Sequence, residues 1–133
     1  MGLNDLFLDV FQLECKLFMK MDSYRLIEQK CNEKCLNFDE RQTLNSEIHY
    51  SFTRLIKTIK DACPDLTEED IIFCCLSKTD LDASIICRCM GNNCKKSTIQ
   101  RKYRIKKKMI EAGCETLFEV IFCPSLLSAC PQI

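Results

Sequence analysis

The sequence predicts an all-α protein, and three observations carry that prediction. Apolar residues recur at helical spacing through most of the chain, as in Leu44, Ile48, Phe52, Leu55, Ile56 and Ile59, the mark of helices that bury one face. Nothing alternates with period two over a useful length, and no Asn-Gly or Asp-Gly hairpin dipeptide occurs. Gly and Pro number three each, too few for a loop-rich fold.

The first helix starts at Asn4 or Gly2. Its Leu3, Leu6, Val10, Leu13 and Leu17 form a heptad seam, which Phe7, Phe11 and Phe18 widen beyond a strict coiled coil. That seam either lies on the chain's own core or meets a second copy. Asp22-Ser23 offers an N-cap to a second helix, which Tyr24, Ile27 and Cys31 carry to about Cys35 and Leu36-Asn37 breaks. A long helix is expected from Phe38-Asp39-Glu40 to Ala62, with Asp39 as N-cap and Phe38 as hydrophobic staple; Pro64 follows it.

Thr67, with Asp70 three residues on and acidic residues between, opens the next helix, apolar at Ile71, Ile72, Cys74, Cys75 and Leu76. After Lys78-Thr79-Asp80 a helix spans about Leu81 to Met90, closed by Gly91. The following helix opens between Lys95 and Ser97 and runs through Ile110. After Gly113, residues Glu115–Cys123 form a last short helix, Pro124 closes it, and the tail Ser125–Ile133 is apolar. Residues 1–62 are thus expected as an N-terminal helical segment, a possible dimerisation arm, and 63–133 as a second helical unit with a C-terminal helix.

Net charge is zero, but unevenly distributed. Residues 1–86 hold ten basic and sixteen acidic side chains, 87–110 nine basic and none acidic, and 111–133 three acidic. Twelve cysteines would mean a disulfide scaffold in a short secreted chain. However, the N-terminus carries Asp5, Asp9 and Glu14 and no basic n-region, and most cysteines fall on apolar stripes. The expectation is free thiols in a reducing cytoplasm. No apolar run is long enough to span a membrane. One His, no phosphate-binding Gly-rich loop and no metalloprotease helix leave no enzyme or cofactor to propose, and without a paired CxxC arrangement core cysteines are favoured over metal ligands.

The functional signal is the helix after Gly91. From Lys95 to Lys108 it carries eight basic residues and no acidic one. Ile99, Tyr103, Ile105, Met109 and Ile110 are expected to dock on the core, leaving the opposite face to a polyanion. In that arrangement Lys95, Lys96, Ser97, Gln100, Arg101 and Arg104 enter the major groove of double-stranded DNA, while Lys102, Lys106, Lys107 and Lys108 hold phosphates.

The stretch also resembles a known family. Leu66–Asp70, Leu81–Gly91 and Ser97–Met109 are similar to the LuxR/GerE-type helix-turn-helix. Cys63–Leu76 and Gln100–Lys108 resemble the C-terminal DNA-binding segment of bacterial regulators that carry tetratricopeptide repeats. The turn from Gly91 to Ile99 is two residues longer than in that pattern. The resemblance implies a LuxR-like bundle with 63–133 as a helix-turn-helix DNA-binding domain, transcription regulation with Ser97–Ile110 as recognition helix, and a homodimer. Two other functions stay open: a protein-interaction module whose basic helix meets an acidic partner or the chain's own acidic segment, and a metal or redox sensor built on Cys87, Cys89 and Cys94.

Overall fold

The computed structural model describes residues 5–122, with side chains from residue 8 onward. These residues form eight α-helices and no strand: α1 (Asp5–Phe18), α2 (Asp22–Lys30), α3 (Phe38–Ser51), α4 (Thr53–Ala62), α5 (Glu68–Lys78), α6 (Ala83–Cys89), α7 (Lys95–Glu111) and α8 (Glu115–Phe122). The all-α expectation is borne out. None of these helices is long and apolar enough to cross a membrane. The expected helix start at Asn4 or Gly2, the side chains of Leu3, Leu6 and Phe7, and the closing stretch from Cys123 through Pro124 to Ile133 lie outside the described residues.

The middle of the fold is α5. All six residues from Ile71 to Leu76 are buried, as in a helix surrounded on every side. It packs against α3 and α4 on one part of its surface and against α6 and α8 on another. One continuous core therefore runs from Phe11 to Ile121. In its N-terminal part α1 lies on α3 and α4, and the Phe18 ring meets Tyr24 edge-on at 5.8 Å and Phe52 at 5.6 Å. Lys78, buried at the end of α5, donates to the Val120 carbonyl at 3.2 Å, placing a cation at the negative end of α8. Burial lowers its pKa from the ordinary lysine value.

Helix starts are satisfied in two ways. Three are local. Thr67 and Asp70 form the expected capping box on α5, and Asp82 accepts the Ile85 N–H at 3.0 Å on α6. The third corrects an expectation: the cap of α3 is Asn37, reciprocated by Glu40, rather than Asp39. Phe38, expected as a staple, is exposed. Two caps are tertiary. Glu47 of α3 accepts the Ser23 N–H of α2 at 2.9 Å. Glu14 of α1 accepts from the Thr53 hydroxyl and the Arg54 and Leu55 N–H groups at 3.1, 2.7 and 3.0 Å.

That last carboxylate explains why the helix expected through Ala62 is two helices. The chain leaves helical geometry at Phe52, and Glu14 satisfies the N–H groups freed by the break. The roll of α1 also differs from its heptad seam. Phe11 and Phe18 are fully buried, while Leu13 is 64% and Leu17 40% exposed. The second helix ends at Lys30 rather than near Cys35, and α6 begins at Ala83 rather than Leu81.

All ten described cysteines are free thiols, with Cys63, Cys74, Cys75 and Cys89 buried as expected. Burial pushes the thiols of Cys74 and Cys75 well above their ordinary range, so they behave as small apolar side chains.

Candidate nucleic-acid interface

The basic helix is set in place by the turn before it. Gly91, at φ +81°, occupies the left-handed position that ends α6. Gly91 N–H bonds the Arg88 carbonyl at 3.1 Å and Asn92 N–H the Cys87 carbonyl at 3.0 Å, the paired bonds of a Schellman motif. The Cys87 thiol donates to the Asn92 and Cys94 carbonyls at 2.8 and 3.1 Å, and the Ser97 hydroxyl to Cys94 at 2.8 Å. Ser97, expected at the groove, is thus half-buried in the turn. An α-carbon substituent at Gly91 would lie 2.6 Å from Arg41 Nη1, so the turn is also closely covered.

From this start α7 seats itself against α6 and α8 through Thr98, Ile105 and Met109, its three buried residues. The seam is completed by charge. Asp70, 3% exposed, accepts from Arg101 Nη1 at 2.8 Å, and Glu69 lies 3.5 Å from Arg101 Nη2. Lys108 Nζ donates to the Asp65 carbonyl at 3.3 Å and lies 3.9 Å from Asp70. Asp70 meanwhile accepts the Thr67 N–H of its own capping box.

This arrangement revises the faces expected of the helix. Ile99, Tyr103 and Ile110 do not dock; they are 60%, 68% and 47% exposed. Arg101 and Lys108, expected at base edges and phosphates, are held on the docked side. The reason lies in what each roll buries. Centring Ile99, Tyr103, Ile105, Met109 and Ile110 on the core would bring Lys102 and Lys106 into the middle of the seam. Two unpaired ammonium groups there cost several kcal/mol each, more than the roughly 1.5–3 kcal/mol gained per apolar side chain. The observed roll instead half-buries one guanidinium against the buried Asp70, with the exposed Glu69 beside it.

The other basic residues stay outside. Lys95, Lys96, Lys102, Arg104, Lys106 and Lys107 are exposed, as is the neutral Gln100. Lys102 and Lys106 flank α8, with their ammonium groups 5.5 Å from the Phe122 ring centre and 5.6 Å from that of Phe118. Among the described residues, no carboxylate pairs with these exposed cations; the only ion pairs of α7 are those of Arg101 and Lys108.

The first turn of α7 differs from those of α2 to α6. The helices α2 to α6 each begin with an oxygen-bearing side chain, local or tertiary, on an early N–H. At α7 the N-cap is Cys94, without a side-chain cap bond, and no acidic residue lies in the first turn. Lys95 and Lys96 sit there instead, two positive charges at the positive end of the helix.

Ile99, Tyr103 and Ile110 are surface residues that the sequence assigned to the core. The signal was present as a mismatch: Ile105 and Met109 fit one narrow stripe, and Ile99, Tyr103 and Ile110 fit another. Asp70 is a second omission, seen as a helix cap but not as the anchor of Arg101.

Cys87, Cys89 and Cys94 do not converge. Cys87 is used by the turn, Cys89 is buried, and Cys94 is exposed. A hydrogen bond to the Cys31 thiol, with burial, pushes Cys89 far above the ordinary thiol range. Among the described residues, no group of three His, Cys, Asp or Glu side chains is placed to hold a metal ion. No family model, curated protein or solved structure matches the chain.

Proposed function

We propose that this protein binds double-stranded DNA through the outward face of α7 and acts as a sequence-specific transcription regulator in a reducing cytoplasm, in the manner of a LuxR-type helix-turn-helix. The observation that carries the proposal is the unneutralised cationic face that begins at Lys95 and Lys96. Both residues work against the helix dipole and meet no acidic partner among the described residues. Uncompensated charges that lower local stability are expected at functional sites, and lysines clustered on one helix face are the electrostatic footprint of a polyanion site.

In this proposal α5 and α6 form the scaffold, and α7 lies in the major groove with its N-terminal half at the base edges. Lys102, Lys106 and Lys107 hold phosphates. Arg101 is a positioning residue, because its guanidinium is occupied by Asp70 and Glu69. The open seam of Leu13 and Leu17 on α1 supplies the contact with a second copy.

Fluorescence anisotropy with duplex DNA at several salt concentrations tests this. Binding should weaken steeply with salt, and Lys107→Ala should lower the log–log slope by about 0.9. Absence of salt-dependent binding to any duplex would reject the proposal in favour of an acidic protein partner.

A further inference from the structure

We infer that α7 reads DNA chiefly through Ile99 and Tyr103, and that these two side chains select thymine by packing on its 5-methyl group. The inference rests on the DNA-binding proposal above and names what the site prefers.

The residues opposite the docked face of α7 decide what it can touch first. Lys96, Ile99, Gln100, Tyr103 and Lys107 lie within an arc of roughly 100°, facing away from Thr98, Ile105 and Met109. Tyr103 is nearest the middle and is 68% exposed; Ile99, one turn earlier, is 60% exposed. Isolated exposed apolar residues carry little information. These two are adjacent, central and bordered by cations on both sides, with Lys95, Lys102 and Lys106 on one flank and Lys96 and Lys107 on the other. That border matches a polyanion, and an apolar centre inside it needs an apolar feature on the polyanion. In the major groove that feature is the thymine methyl.

Two further facts narrow the choice. Of the two arginines expected at base edges, Arg101 is withdrawn into the seam by Asp70 at 2.8 Å, and Arg104, exposed, lies on the far side of Gln100 from Ile99. Gln100, exposed beside Ile99, has the paired donor and acceptor that fit the adenine edge. Methyl-reading and adenine-reading groups side by side favour sites rich in A·T pairs. A membrane surface is the weaker occupant, because the face offers few apolar side chains and places Lys106 among them, not a continuous apolar stripe.

The test begins with selection of bound sequences from a random duplex library by the full chain. Each thymine of the enriched site is then replaced in turn by deoxyuridine, which removes the methyl group and leaves the pairing edge intact. At one or two positions affinity should fall about fourfold, the equivalent of one buried methyl group. Ile99→Ala or Tyr103→Ala should bind thymine and deoxyuridine probes equally at those positions, with the salt slope and the circular dichroism spectrum unchanged. If a specific site is enriched but no deoxyuridine substitution matters, the inference fails and the DNA-binding proposal stands. If no duplex is enriched or bound, both fail. Binding to phosphatidylglycerol vesicles without duplex binding, lost in the Ile99 and Tyr103 variants, would assign the face to a membrane and overturn both.

Discussion

Helices α1 and α7 carry the two amphipathic patterns most legible in the chain, and each is rolled away from the face its apolar spacing marks out. In α1 the roll brings Glu14 onto the start of α4 and buries the larger Phe11 and Phe18 in place of Leu13 and Leu17. In α7 it brings Arg101 onto Asp70 at the start of α5 and leaves Ile99 and Tyr103 outside. In both, a charged side chain that has one suitable partner decides the roll, and apolar surface is left over. The leftovers differ in their surroundings. That of α1 is a heptad seam, fit for a second copy of the chain; that of α7 is ringed by lysines, fit for a polyanion.

Asp70→Ala should destabilise folding by about 3 kcal/mol in urea titration, because it strands Arg101 and removes half of a capping box. A loss under about 1 kcal/mol would show that charge does not set the roll of α7. Glu14→Ala should cost about 2 kcal/mol, since three donors at the start of α4 lose their acceptor. Near-neutral behaviour there would leave the break at Phe52 unexplained.

A local cap sharpens the contrast with these tertiary ones. The Lys30 ammonium at 2.5 Å, with the Asn37 N–H, holds the Glu40 carboxyl below its ordinary value of 4.5. A depressed carboxyl pKa stabilises the fold above that value, and the contribution is lost as pH falls through the lower folded pKa. Glu40→Gln should therefore flatten the acid limb of the stability–pH curve while changing neutral stability less than Glu14→Ala does.

The smallest effect on folding is expected at the seam. Leu13→Glu with Leu17→Glu should change stability by no more than about 0.5 kcal/mol, yet convert a dimer to a monomer in sedimentation velocity. Truncating residues 1–20 is a poorer probe, because it also removes the buried Phe11 and Phe18. An unchanged oligomeric state in the double variant would move the dimer contact away from α1.

Most helix positions follow from the sequence, because caps, glycines and apolar period act within a few residues of one another. Thr67 with Asp70, Gly91 and Gly113 marked ends that the structure keeps, and the run from Lys95 to Lys108 marked one helix as cationic. How the helices roll and where one of them breaks depend on contacts between distant residues. The partners of Glu14 lie about 40 residues along the chain, and Asp70 lies 31 residues from Arg101. A helical wheel counts apolar side chains on each face but contains no partner for the charged ones. Which face is buried depends on that partner: a paired guanidinium enters the seam of α7 more cheaply than two unpaired lysines, and the apolar residues this leaves outside form the proposed reading surface.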